Sequence, residues 1–273
     1  PDGGTLLLSA AFDSARPFTL GSTGGTIEAT SRNKLTGSFA GGGNLTKTGN
    51  GALVLNSDAV YSGDTLVAAG TLVVGDSQHL QARLGGGGTV VVAAAASFGG
   101  YGTVLGSVDN RGTLGVGNAL AALATQPDAE FNVQGPLRNS GTITMVNGVA
   151  ADRLNVSGSY ISNGGRLALE AVLDQGGTAA QADRLVAGSV ELAGGATTIA
   201  LQPVGGAGAF TEGDGIMLVQ VADAARSAPG AFVLEQRVVV GPHEYLLFQG
   251  GVANPADGDW YLRNTAPEVP VPI

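Results

Sequence analysis

Few side chains in this 273-residue sequence are of types that do chemistry, and they set the first question. Gly75-Asp76-Ser77 places a serine two residues before His79. A serine nucleophile needs a base within hydrogen-bond reach, an acid to orient that base, and an oxyanion hole. A histidine two residues along a turn does not point back at Ser77, and no orienting acid or oxyanion motif is recognisable. The stretch therefore reads as a turn. His243, beside Pro242, is expected to pack or hydrogen-bond. With two histidines and no cysteine, thiol chemistry and disulfides are excluded and a zinc site is not expected. Glycosidic hydrolysis needs two acids converging on one face. Asp152 and Glu170, like Asp183 and Glu191, are expected on separate strands, with no spacing that implies convergence. Asp257-Gly258-Asp259 and Glu212-Gly213-Asp214-Gly215 offer oxygens for calcium but match no calcium-binding repeat, so they read as solvated turns. Gly85 to Gly88 lacks the lysine and helix of a phosphate loop and reads as a turn. The sequence thus predicts no catalytic, cofactor-binding or metal-binding residue, and no cofactor.

The elements that would position any site are short. Glycine is 46 of 273 residues, more than twice the ordinary share of about 7%. Charged residues are only 13% and hydrophobic ones 44%, so this glycine does not come with the polarity of a disordered chain. It has no three-residue period, which excludes collagen. Short strands between glycine turns fit an all-β solenoid, sandwich or barrel. The net charge of −9 repels phosphate backbones and argues against nucleic-acid or anionic-lipid partners. No apolar run reaches the length of a spanning helix, and no signal peptide is expected within this stretch. Pro1-Asp2-Gly3-Gly4 and the proline-rich Pro267 to Ile273 read as the interior of a longer chain.

The stretch from Gly42 to Gly75, GGNLTKTGNGALVLNSDAVYSGDTLVAAGTLVVG, organises the rest. Its apolar runs, Ala52 to Leu55, Thr65 to Ala68 and Thr71 to Val74, are rich in leucine or β-branched residues. Gly, Asn, Asp or Ser fills the gaps. The stretch resembles the passenger-associated transport repeat of Gram-negative autotransporters. The resemblance is carried by Gly43-Asn44-Leu45-Thr46-Lys47-Thr48-Gly49, by Gly51, Leu53 and Leu55, by Tyr61-Ser62-Gly63-Asp64-Thr65, and by Gly70-Thr71-Leu72. It implies a right-handed parallel β-helix. At roughly 20–25 residues per rung the chain supplies about ten rungs, fewer if the last third is a cap, and ten would make a rod roughly 45 Å long. A Gly-Thr pair recurs at 70, 88, 102, 112 and 141, too unevenly for a strict repeat. Within Arg166 to Asp174, the alternation predicts Leu167, Leu169, Ala171 and Leu173 inside and Arg166, Glu170 and Asp174 in water.

The C-terminal part resembles the junction or autochaperone region of autotransporter passengers. The matching residues begin with Asp152 to Tyr160, Gly164 to Leu169 and Asp183 to Val186. They continue through Gly205 to Ala209, Gly215 to Val219, Gly241 to Phe248 and Asp259 to Arg263. Ala119 to Glu130 has no counterpart and is expected to be a short helix or loop. Glu244 to Phe248 and Trp260 to Leu262 read as an antiparallel hairpin with a long connector. It spends Trp260, Tyr261, Tyr245 and Phe248 together, as a lid over the last apolar rung.

Three units are expected: a stem over 1–112 containing the transport repeat at 42–75, further rungs and an autochaperone cap over 113–264, and a linker over 265–273 toward an outer-membrane barrel. The resemblance implies a non-enzymatic role, in which the cap folds first at the cell surface and templates the rungs behind it. Trp260, Tyr261, Leu262, Tyr245, Phe248, Leu167 and Leu169 are the residues expected to carry that role. The implied partners are the chain's own outer-membrane β-barrel translocator, the outer-membrane assembly machinery during secretion, and a host receptor. The implied location is the surface of a Gram-negative bacterium, reached through the periplasm, with release to the medium as a variant. Two alternatives stay open: adhesion through the rod's outer face, and a stalk for an upstream protease or esterase.

Overall fold

A computed structural model describes residues 2–117, 120, 122–123 and 128–264. The chain coils into a parallel β-helix. Ten strands, from Phe12–Ser14 to Phe232–Leu234, stack in register as one sheet, each pairing in parallel with the strand one rung away. The other strands form a second, larger sheet that supplies the two remaining faces of the early rungs. One rung shows the pattern: Leu45–Thr48, Ala52–Leu55 and Asp58–Ala59 lie on three faces with short turns between them. Ten stacked strands agree with the rung count expected from length.

Period-two alternation builds the bore. Leu53, Leu72, Phe98, Leu114, Ile143, Leu167 and Ile199 are successive register partners, and all are buried. One apolar core runs the length of the column from Leu8 to Leu262. No rung encloses its own core, so each gains its stability from its neighbours. The Gly-Thr pairs make sense in this geometry. Those at 70, 112 and 141 open strands of the ten-stranded sheet, while those at 88 and 102 precede strands of the other sheet. One local motif serves two faces, which is why its spacing is uneven. Gly70 needs its glycine, since its φ is 65° and an added Cβ would lie 2.3 Å from the Gly49 carbonyl oxygen.

The cross-section changes at Arg153–Asn163. The first half of this eleven-residue strand pairs with Glu130–Val133 and its second half with Leu137–Asn139. Two faces thereby fuse across a corner, and a bulge after Val156 takes up the bend. From here each rung holds two long strands: Arg153–Asn163 with Arg166–Ala171, then Arg184–Gly195 with Thr197–Pro203.

The segment 119–130 lies partly outside the described residues, as does all of the expected linker 265–273. Of that segment, Leu120 packs on the outer face of the ten-stranded sheet and buries the outward-pointing Val54 and Val73. Gly115 makes the room, because a Cβ there would sit 2.6 Å from Leu120 Cδ2. Among the described residues no helix is long and apolar enough to cross a membrane.

Candidate functional site at the closed end of the column

At the C-terminal end the chain reverses direction. Ile216–Val221 is the last strand of its face to stack in parallel, through Leu185↔Val219. Its other edge is taken by Trp260–Arg263 running antiparallel, with Ile216 opposite Leu262 and Met217 opposite Tyr261. Trp260–Arg263 pairs in turn with His243–Gln249, and that strand with Val238–Val240, both antiparallel. The hairpin expected from Glu244 to Leu262 is thus the centre of a four-stranded end-plate.

The aromatic side chains do not form one cluster, which corrects the single lid expected from their proximity in sequence. Alternation along both strands sorts them onto two faces. Trp260, Leu262 and Tyr245 are buried. The Trp260 ring meets Phe232 edge-on at 5.2 Å between centroids, and Phe232 stacks on Tyr160 at 5.5 Å. Three rings thus descend from the plate into the bore. Below them the Tyr160 hydroxyl joins Asn139 (3.2 Å) and Thr197 (2.8 Å), and burial pushes its pKa up to about 12. The Tyr245 hydroxyl accepts the Ala209 N–H at 3.0 Å and lies 3.1 Å from the Asp174 and Ala209 carbonyls. Phe248 and Tyr261, opposite each other in register, lie on the plate's other face, where Tyr261 is also buried and its hydroxyl donates to Asp257, and the Arg263 guanidinium lies 4.5 Å from the Phe248 ring centre. Leu167 and Leu169 are fully buried but lie deeper, under Ile199 and Leu201 of the next rung. Phe232 and Tyr160, which link plate to bore, were not singled out in the sequence. Phe232 was legible only as a short apolar run after Pro229-Gly230.

The loop between the hairpin strands is stapled by carboxylates, which corrects the reading of solvated turns. Asp259 is buried and its Oδ1 accepts the Val221 N–H at 2.6 Å, fastening the plate to the column. Burial raises its pKa against that hydrogen bond. Asp214 Oδ1 accepts the N–H groups of Val252 (2.6 Å) and Ala253 (3.0 Å). Asp257 accepts from Gly251 N–H and from the Tyr261 hydroxyl. These oxygens serve backbone and hydroxyl donors. Among the described residues no group of three or more His, Asp or Glu side chains is arranged to hold a metal ion.

A second correction concerns Asp152, Glu170 and Asp183, which the structure brings together at the corner where the two-strand rungs begin. Their convergence arises because Asp152 and Asp183 precede in-register strands, while residues 172–183 fold back over Glu170. Asp183 Oδ1 accepts the Asp152 N–H (3.0 Å) and its Oδ2 the Glu170 N–H (2.7 Å). Asp152 Oδ1 accepts the Ala129 N–H (2.7 Å), and its Oδ2 meets the Asn147 amide. Glu170 Oε2 accepts three N–H groups, from Asn147, Gly148 and Val149. Its Oε1 is buried without a partner. Glu170, expected in water, is therefore fully buried. Strand alternation sends it outward, but residues 147–149 and 181–183 cover it. Burial lifts Asp183 to about 7 and Asp152 to about 6 against those hydrogen bonds, and the neighbouring carboxylates add to the rise. All three lie away from solvent, where no sugar ring reaches them.

Near the transport-type stretch, Asp76 is the acid that the sequence did not reveal. His79 Nδ1 lies 2.6 Å from Asp76 Oδ1, Asn56 donates to Asp76 Oδ2 at 2.7 Å, and Lys34 lies 3.2 Å away. Among the described residues Ser77 makes no hydrogen bond to His79, so the group is a clamp across rungs 20 residues apart. Burial opposes ionisation of Asp76, but the donors around it win and hold its pKa well below the usual range. His243 packs edge-on against Phe210 at 4.7 Å. Lys47 is fully buried with no carboxylate beside it. Its ammonium donates to the carbonyls of Thr48 (2.7 Å), Gly49 (2.9 Å) and, one rung on, Ala69 (3.0 Å).

Comparison with known proteins matches residues 124–247 to the family described as Autochaperone Domain Type 1. Residues 45–74 match the Passenger-associated-transport-repeat. The chain is 32% identical to the "Adhesin BmaC autotransporter" of Brucella suis biovar 1 (strain 1330) over 98% of its own length and 7% of that protein's. It is 30% identical to "Uncharacterized protein YuaQ" of Escherichia coli (strain K12), covering 85% of this chain and 14% of that protein. The same identity relates it to "Probable autotransporter YfaL" of that strain, covering 82% and 18%. The chain therefore spans less than a fifth of the length of each of these relatives.

Proposed function

Because the chain belongs to the autotransporter passengers, proteins exported to the surface of Gram-negative bacteria, we propose that its C-terminal region nucleates the folding of the column. The observation that carries this reading is the antiparallel plate at the C-terminal end of the column, which occupies the edge of Ile216–Val221 and leaves the stack open to growth in one direction only. A plate folded first presents one template, on which each rung closes over a short sequence separation. Folding outside the cell then opposes backsliding through the translocation pore. In this reading the stem is 1–112, the nucleating part lies within 113–264, and 265–273 leads toward the chain's own outer-membrane β-barrel, which the assembly machinery inserts. Trp260, Leu262 and Tyr245 hold the plate to the bore, Tyr261 and Phe248 its outer face, and Leu167 and Leu169 the rung beneath. The reading assigns no catalysis to this segment.

The test compares refolding from denaturant, and surface display of the full-length protein, for Trp260→Ala, for deletion of 244–263 and for a loop change at Gly85–Gly88. The first two should slow refolding and reduce display far more than the third. Equal effects from all three would overturn the proposal.

A second reading is adhesion, favoured by the relative named an adhesin and by a depression of about 560 Å³ on the column's side. Leu80, Gln81, Asn132 and the Glu130–Arg153 pair line that depression. Binding of this segment to cells, lost on Arg153→Glu with folding intact, would support it. Absence of binding would refute it for this segment.

A further inference from the structure

We propose that the Asp152–Glu170–Asp183 cluster is a proton-binding site built into the terminal region, making its fold more stable in mildly acid medium than in neutral or alkaline medium. Three adjacent buried carboxylates in a low-dielectric corner repel one another strongly, so neutralising the cluster lowers its energy. No basic side chain among the described residues forms an ion pair with any of the three. Arg153 has Glu130 as its ion-pair partner at 3.9 Å, and the charge of Arg184 is felt by Asp259 and Tyr261. The other groups facing the cluster are the acid Asp128 and the neutral Asn147. A metal ion is a poor neutraliser here. Every oxygen of the three carboxylates except Glu170 Oε1 already accepts an N–H bond, and among the described residues no three acids are arranged to hold a metal ion. A proton needs one oxygen only.

The sign follows from the direction of the shifts. Asp183 and Asp152 titrate near 7 and 6 in the folded chain, against about 3.8 unfolded. Folding therefore takes up protons over this range. The stabilisation is complete below the unfolded value and is lost as pH rises through 6 and 7. Taken together, the two groups make the unfolding constant rise on the order of a hundredfold or more between pH 5 and 7.5. This holds whether or not the region nucleates folding.

The experiment measures urea unfolding of the whole segment from pH 5 to 7.5, with a titration of ¹³C-labelled aspartate carboxyls by NMR. The expected result is a midpoint that falls with rising pH and two aspartates titrating above pH 5.5. Glu170→Gln keeps an acceptor for the three N–H groups while removing a charge, so it should lower both aspartate midpoints and flatten the pH slope. A midpoint that is flat or rises with pH, or aspartates that all titrate below about 4.5, would overturn the proposal. So would a Glu170→Gln protein that folds yet leaves both midpoints unmoved.

Discussion

Lys47 offers the most exacting test of how the rungs hold together. It is a buried ammonium whose partners among the described residues are three carbonyl oxygens on two successive rungs. Burial lowers its pKa from 10.5 in the unfolded chain to about 8. That difference corresponds to about 3.4 kcal/mol of destabilisation when the amine is charged. A group depressed in the folded state withholds stability below its folded pKa and returns it as pH climbs toward the unfolded value. Between pH 7 and 9.5 about 2 kcal/mol should come back. Lys47→Met removes both the charge and the donors, leaving three carbonyls short of a partner at about 1–3 kcal/mol each. Other titrating groups are common to both proteins and cancel in the difference. Guanidinium unfolding of the two proteins across this pH range should therefore show the wild type gaining on the variant by about 2 kcal/mol. A gap that stays constant would mean the carbonyl cage compensates desolvation in full. A variant that gains on the wild type as pH rises would reverse the sign and refute the reasoning.

Asp76→Ala strips His79, Asn56 and Lys34 of their shared acceptor and should cost about 2–4 kcal/mol by urea unfolding. The wild-type contribution of that carboxylate should fade as pH falls below 4, the range in which a depressed acid takes up its proton. Leu169→Ala opens a cavity in a fully buried rung and should cost about 2–5 kcal/mol at equilibrium, read by the denaturant midpoint.

The strands were legible wherever alternation or glycine punctuation was strong. Ala52–Leu55, Thr65–Val67 and Gly70–Val74 lie where the apolar runs predicted strands, and the hairpin partners Glu244 to Phe248 and Trp260 to Leu262 pair as expected. Alternation also placed Leu167, Leu169, Ala171 and Leu173 inside. It failed at Glu170 because outward means solvent only when nothing crosses the outer face. Two loops do so there, and loop paths leave no period in a sequence. The same limit hid the Asn56–Asp76 contact and the convergence of Asp152, Glu170 and Asp183. Each unites residues whose neighbourhood depends on how many residues separate one rung from the next. The aromatic split followed from strand alternation and was readable in principle: Trp260 and Tyr261 are adjacent, so only one of them points into the bore.

The reversal at Ile216–Val221 also bears on crowding. Stacked parallel rungs are self-similar, so any open rung edge is shaped to accept the end of another column, and such head-to-tail joining would spin out fibres. Here the antiparallel plate covers the edge of Ile216–Val221, so the broad side offers no open rung to extend. On the other sheet it leaves only the three-residue Phe232–Leu234. A second column that meets this end therefore finds little to extend, and end-to-end joining there is disfavoured.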